Sequence, residues 1–385
     1  MKTPHGPLTV YQVCTETVMD TSDPDIKFDH NGVSNHYYEF HARRKLEVLT
    51  GLEGEEHANE VAQKIKYENR KKKYDCLIGL SGGVDSSFVA YICVHQLGLR
   101  PLAIHLDNGW NTELAVSNIA NIVRTLDIDL HTEVLDWREF RELQKAFFRS
   151  SVGNVEMVTD HAINATLFNL TRKFGVRHII SGSNLNSEGI LQSAFWGHDN
   201  KDWVNINDIN KRCGTMALRQ YPKLTPFNFA ASIFLRGVRF LPILNYLDYN
   251  KAAAIAILEN ELGWRNYGRK HGESTFTRFF QEYYLPEKFN VDKRRSHLSS
   301  LICSGQISRK EALDELNRPL FEEGEKDRMI KYVCKKLQFN RQDWAGIMKA
   351  KPVPHSQYKT SKILSVRQNR MYKYGRMVAT GRNSL

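Results

Sequence analysis

A compact apolar run, CLIGL (76–80), ends on the small, polar cluster SGGVDSS, and SSFVAYICVHQLG then follows with helical spacing up to Gly98. This junction restricts the chain to folds in which a buried strand feeds directly into a helix. The alternation continues downstream. PLAIHL (101–106), LHTEVL (130–135) and VRHIISG (176–182) have the length and composition of buried strands. Between them, TELAVSNIANIVRTL and stretches around 137–149 and 160–174 have helical spacing. The expected fold is α/β, a doubly wound parallel sheet with helices on both faces. Ahead of it, residues 14–37 are polar and turn-rich, and 39–73 read as helical. From about 235 the strand signal fades, and 250–343 read as helices with loops.

Ligands of such sheets bind beyond the carboxyl ends of the strands. Three of those ends carry small or polar clusters, SGGVDSS, DNGW and SGSNLNSE, so they should converge on one site. The loop LSGGVDSS (80–87) lacks the G-x-x-x-x-G-K-[ST] pattern. Gly82 and Gly83 permit positive φ and a close backbone approach to a ligand. Ser86 and Ser87 add hydroxyl donors at a helix N-terminus, where the macrodipole favours an anion. Asp85 would repel a bare phosphate, so its expected use is to hold a Mg²⁺ that bridges phosphates.

Composition narrows the class. At 385 residues the chain is long enough for two or three domains, and 41% hydrophobic with 25% charged residues excludes a disordered or collagenous chain. No run approaches about 18 apolar residues, so no membrane span is expected. MKTPHGPLTVYQV lacks the apolar core of a secretory signal, and the six cysteines form no C-x-x-C pair. Reduced thiols and a cytoplasmic location are expected. The net charge is +11, but residues 344–385 hold nine Lys or Arg and no Asp or Glu, leaving +2 for the rest. A body so near neutrality suits a local anionic ligand better than a nucleic acid wrapped over its surface. The basic end is either a solvated tail or a contact for a partner.

SGGVDS resembles the signature of the PP-loop ATP pyrophosphatases, which cleave ATP between the α- and β-phosphates and adenylate a substrate oxygen. The resemblance implies a fold of that type and an ATP site built from Ser81, Gly82, Gly83, Asp85, Ser86, Ser87, Asp107, Ser181, Gly182 and Asn184. It also implies Glu188 as a second Mg²⁺ ligand beside Asp85; a helix-start carboxylate is the alternative. MDTSDPDIKFDHNGV, LDNGWN, SGSNLNSEGI, YGRKHGESTFTRFFQEYYLPEKF and DKRRSHLSSLICSGQISRKEAL look like blocks of the N-acetyl sugar amidotransferase family. Its members make acetamidino sugars of bacterial surface polysaccharides and flagellin.

That likeness implies transfer of AMP from ATP to an acetamido carbonyl and displacement by ammonia, on a nucleotide-linked N-acetyl sugar for lipopolysaccharide O-antigen or a related glycan. Lys270, His271 and Lys293 join Asp85 as catalytic candidates, with Arg269, Glu273, Arg294 and Arg295 for the substrate. Solvated charged loops are the alternative for both clusters. Neither an N-terminal cysteine nor a Gly-flanked cysteine elbow is present, and the resemblance implies a separate glutaminase subunit that supplies ammonia. A tRNA-modifying enzyme and a non-catalytic nucleotide-binding scaffold are the competing readings. Relatives carry a four-cysteine zinc ribbon where this chain has Cys14, Thr17, Ser34 and Tyr37, so no structural zinc is expected and packing should hold a ribbon-like fold. The expected division is 1–70 for the degenerate ribbon and helical linker, 71–235 for the ATP domain, 236–343 for a helical substrate or partner region and 344–385 for the basic tail.

Overall fold

The computed structural model describes residues 10–190, 197–268 and 272–361. Two small turns open the chain, closed by antiparallel bridges Val13–Asp20 and Phe28–Ser34. They bring Cys14, Thr17 and Ser34 into hydrogen-bonding contact. Burial works against ionisation of Cys14, but hydrogen bonds from Ser34 and Thr17 outweigh it and lower the thiol's pKa. The Ser34 N–H donates to Cys14 Sγ at 3.2 Å, and Tyr37 packs beside Met19, Phe40 and Cys303. One thiol and three hydroxyls do not fit a Zn²⁺ site. Arg309 donates instead to the carbonyls of Cys14 (2.9 Å) and Thr17 (3.0 Å), and Arg295 to that of Val18 (2.8 Å). The first turns are thus bonded to a late part of the chain.

Helices α1 (Asn35–Glu47) and α2 (Gly51–Asn69) occupy the stretch read as one helical segment. The break comes where Val48 and Thr50 turn extended and the Leu49 N–H donates to Asn245. Strands β1 (Cys76–Gly79), β2 (Pro101–Asp107), β3 (Asp129–Val134), β4 (His178–Ser181) and β5 (Arg239–Pro242) form one parallel sheet in the order β3-β2-β1-β4-β5. The reversal of direction in strand order falls at β1 and β4, where an open α/β sheet has its ligand crevice. Sequence reading missed β5, a four-residue edge strand whose pattern the neighbouring apolar segments obscure.

Period two assigns the faces. Leu77, Leu102, Ile104 and Ile179 point to one side and pack with α6 (Met157–Lys173). Cys76, Ile78, Ala103 and Ile180 point to the other. That side is covered by α2, α3 (Val84–Tyr91, continued by a π-helical turn Ile92–Gln96) and α4 (Glu113–Leu126). Helix α5 (Trp137–Ser150) precedes α6; α7 (Leu185–Glu188), α8 (Trp203–Cys213) and α9 (Pro226–Ala230) lie between β4 and β5.

After β5 the chain is helical: α10 (Lys251–Leu262), α11 (Thr275–Phe279) running into a π-helix Phe280–Phe289, α12 (Arg294–Cys303), α13 (Arg309–Leu316), α14 (Glu325–Leu337) and α15 (Arg341–Lys349). An aromatic core joins it to α5. Phe148, fully buried, meets Tyr284 at 4.9 Å and Trp344 at 5.3 Å between ring centroids. Trp344 corrects the reading of 344–385 as a tail. Its helix packs in this core, and His355 and Lys359 offer their carbonyls to Asn205. Residues from 362 lie outside the described ones. Among the described residues no helix is long and apolar enough to cross a membrane.

Candidate active site

The loop after β1 is built to expose backbone. Gly82 sits at φ +85°, a left-handed conformation that glycine adopts without strain, and Gly83 caps the start of α3. Ser86 Oγ donates to the Gly83 carbonyl at 3.1 Å and accepts from the Ser81 N–H at 3.3 Å, so one hydroxyl holds both sides of the turn. The Ser81 side chain is exposed and accepts from the Gly83 N–H at 3.3 Å. Ser87 departs from expectation. It is fully buried beneath the loop, because the fourth residue of α3 faces inward, and its hydroxyl lies away from the open surface.

The expected convergence of strand ends takes place. A methyl group on Gly182, just after β4, would lie 2.9 Å from the Asp85 carbonyl carbon and 3.0 Å from the Ser86 nitrogen. Only glycine lets the two loops approach so closely. Ser181 Oγ accepts from the Ser183 N–H at 3.1 Å. Asn184 spends both ends of its amide on the turn, donating to Gly182 O at 3.1 Å and accepting from Ser187 N at 2.8 Å. Asn184 therefore shapes the loop. From the β2 end, Asp107 Oδ1 accepts from the Gly109 N–H at 2.9 Å and fixes the DNG turn. His105 ties that loop to the first one. Its Nδ1–H donates to the Leu80 carbonyl at 3.0 Å, which leaves Nε2 to accept from Asn111 at 3.1 Å.

Asp85 and Glu188 share a neighbour that sequence reading missed. Tyr249, after β5, donates its hydroxyl to Asp85 Oδ1. Burial foremost, then the charge of Asp85 and, more weakly, that of Glu188, push the Tyr249 pKa far up. Both carboxylates thus lie in the electrostatic surroundings of Tyr249, and Mg²⁺ needs only one or two carboxylates when phosphates complete its shell. LNYLDYN (244–250) holds two tyrosines and no motif that separates Tyr249 from Tyr246, so nothing in the sequence marks it. Among the described residues, no group of three or more His, Cys, Asp or Glu is placed to hold a metal.

Beyond Glu188 lies a second set. Asp160 is raised to about 7, first by burial and then by Glu156, while Lys293 and a hydrogen bond from Asn200 pull it down and Glu188 adds to the rise. This places Lys293, at the start of α12, in the electrostatic surroundings of Asp160. Its two neighbours go elsewhere. Arg294 bonds Asp292 and the carbonyls of Glu315, Leu316 and Arg318 at the end of α13. Arg295 pairs with Asp20 at 3.0 Å. Both were expected to bind substrate; both are occupied in holding the fold.

Residues on both sides of the RKH segment of the YGRKHGEST block reach the phosphate loop. Trp264 Nε1 and Tyr267 Oη both donate to the Gly82 carbonyl, at 2.7 and 3.0 Å. Glu273 is brought to the loop as well, and a methyl on Gly83 would meet its Oε1 at 3.3 Å. Arg269, Lys270 and His271 lie outside the described residues.

Residues 55–221 match a family model described as NAD synthase, and residues 273–373 one described as LPS biosynthesis protein WbpG-like, C-terminal domain. An uncharacterized protein of Methanocaldococcus jannaschii is 25% identical over 125 residues, 32% of this chain. The chain spans 44% of that curated relative's length. Among solved structures, the NMN synthetase of Francisella tularensis is similar at 16% identity, over 53% of this chain and 93% of its own, with a TM-score of 0.27. The NH3-dependent NAD synthetase of Campylobacter jejuni gives 14%, 57%, 97% and 0.29. Residues 55–221, which carry four of the five parallel strands and the SGGVDSS loop, thus form a PP-loop region of NAD synthase type, and residues 273–373 are a match to a WbpG-like lipopolysaccharide-biosynthesis domain.

Proposed function

We propose that this protein is an ATP-dependent amidotransferase that turns the acetamido group of a nucleotide-linked N-acetyl sugar into an acetamidino group for lipopolysaccharide O-antigen or a related surface glycan. The two matched regions support the coarser reading, an ATP-using amidating enzyme of lipopolysaccharide biosynthesis. The observation that supports the finer one is that Glu273, the first residue of the WbpG-like match, lies against Gly83 of the phosphate loop, whose Asp85 acts with Glu188 on Tyr249.

An acetamide is a poor electrophile because resonance stabilises it. In the proposed reaction its carbonyl oxygen attacks the α-phosphorus of ATP, the bond to the β-phosphate bridging oxygen breaks, and pyrophosphate leaves. Ammonia then attacks the imidate carbon, the carbon–oxygen bond breaks with that oxygen staying on AMP, and a proton passes from nitrogen to a base. The chain's part is positioning and charge stabilisation, which suffice without a protein nucleophile. The N–H groups around Gly83 and the start of α3 face the leaving pyrophosphate. Asp85 and Glu188 are the residues that would hold Mg²⁺, which neutralises phosphate charge when bound. Lys293, with Lys270 and His271, serves the acceptor side, and a separate glutaminase supplies the ammonia.

Incubation with ATP, ammonium and a panel of free and nucleotide-linked acetamido sugars, read by mass spectrometry, tests this. The reading requires AMP, pyrophosphate and an amidine product together, all absent from a Ser81→Ala/Asp85→Ala variant. AMP formed only on adding tRNA would replace it with the RNA-modifying alternative. No pyrophosphate under any condition would favour a scaffold.

A further inference from the structure

The Glu273 side chain lies against the phosphate loop. Its Oε1 and Cδ lie 3.3 and 3.4 Å from the position of a methyl on Gly83, beside Ser81 Oγ at 3.4 Å. The backbone behind it is fixed. Thr112 N donates to Glu273 O at 3.0 Å, Thr275 N donates to Trp110 O at 3.0 Å, and Asn111 bridges Ser274. Tyr267 and Trp264 hold the far side of the same loop through Gly82. These bonds fix the backbone at Glu273, and its half-buried side chain has torsions of its own about which to turn.

The electrostatics then force a choice. N–H groups of a turn at the start of a helix favour a negative charge, and a carboxylate supplies one. A triphosphate brings several, and like charges a few ångströms apart repel strongly where water is excluded. We infer that Glu273 is an internal anion occupying the phosphate subsite, and that it must swing aside before nucleotide binds. This inference rests on the ATP reading above. The nucleotide-competent population is the fraction with Glu273 turned out, and apparent affinity falls by that fraction. The match to the WbpG-like domain starts at Glu273 itself, so this contact gives the C-terminal region a direct hold on the phosphate loop.

Titration with inorganic pyrophosphate in EDTA, without Mg²⁺, isolates the anion competition from any metal. Glu273→Gln keeps the shape and removes the charge; Glu273→Ala removes both. The inference requires both variants to bind pyrophosphate more tightly than wild type, by about tenfold if the inward rotamer holds about nine-tenths of the population. Equal or weaker binding in both overturns it and leaves the ATP reading standing. Weaker binding of Mg²⁺–ATP with unchanged metal-free pyrophosphate binding also overturns it, making Glu273 a metal ligand. Should no form bind pyrophosphate or ATP, the loop's assignment fails and the inference with it.

Discussion

Gly182 lies against the backbone of Asp85, with room for a hydrogen atom and none for a methyl, whose carbon would come within 2.9 Å of the Asp85 carbonyl carbon. The atoms it would strike are main chain and cannot rotate away. Gly182→Ala should therefore shift the loop bodily. Overpacking of this kind typically costs about 1–3 kcal/mol. The expected outcome is a folded protein, by circular dichroism, whose ATP affinity falls at least tenfold, or about 1.4 kcal/mol. Unchanged ATP binding would mean that the two loops do not form one site.

Tyr249 holds the Asp85 carboxylate. Tyr249→Phe removes one donor and no bulk, leaving the carboxylate less firmly oriented. A hydrogen bond to a charged group contributes about 1.5–3 kcal/mol. The Mg²⁺ concentration for half-maximal pyrophosphate release should change by several-fold while the melting temperature moves little. An unaltered Mg²⁺ dependence would separate Tyr249 from the metal ligands.

The first turns of the chain depend on Arg309, whose guanidinium bonds two carbonyls there. Arg309→Met keeps the apolar stem and strands those carbonyls. Stability should fall by about 1–3 kcal/mol in urea unfolding. Because the ribbon positions hold one thiol, a chelator should lower the stability of neither protein. A chelator-sensitive wild type would show that metal, not this arginine, secures the segment.

Buried histidines give a pH dependence whose sign can be worked out. Burial holds His161 and His178 down to about 4 and His355 to about 3, so all three are neutral in the fold at neutral pH. His161 shows why: Nδ1–H donates to Asn200 O at 2.8 Å and Nε2 accepts from Leu224 N at 3.1 Å, an acceptor role that protonation abolishes. Between about 4 and 6.5 the unfolded chain binds more protons at these sites, so their contribution to stability rises with pH and is complete above about 6.5. Asp160 opposes this. Raised to about 7, it keeps its proton in the fold where the unfolded chain has lost it, and its contribution falls as pH climbs from about 4 to 7. Asp160→Asn should therefore give a steeper rise of unfolding free energy over this range than wild type. An equal or shallower rise would contradict the burial of Asp160 as a neutral acid.

The sheet and its phosphate loop were readable because each rests on local pattern. Four strands show as short apolar runs, and Gly82, Gly83 and Ser86 follow one of them directly. What stayed hidden depends on the third dimension. Arg294 and Arg295 read as ligand-binding cations, yet their partners are carbonyls 21 to 24 residues downstream and a backbone 277 residues upstream. Tyr249 reaches Asp85 across 164 residues. Trp344 sits in a basic stretch whose charge says tail, while its indole is one part of an aromatic core shared by α5, α11 and α15. Charge and composition describe a residue's surface cost; they do not say which distant carbonyl or ring will meet it.

The central claim is that the acetamido oxygen becomes part of AMP. An acetamido sugar labelled with heavy oxygen in its carbonyl tests this most directly, with ATP, ammonium and the wild-type protein. The account predicts AMP that carries the label, unlabelled pyrophosphate and an amidine sugar free of it. Label retained in the sugar, or found in pyrophosphate or water, would contradict adenylation of the carbonyl.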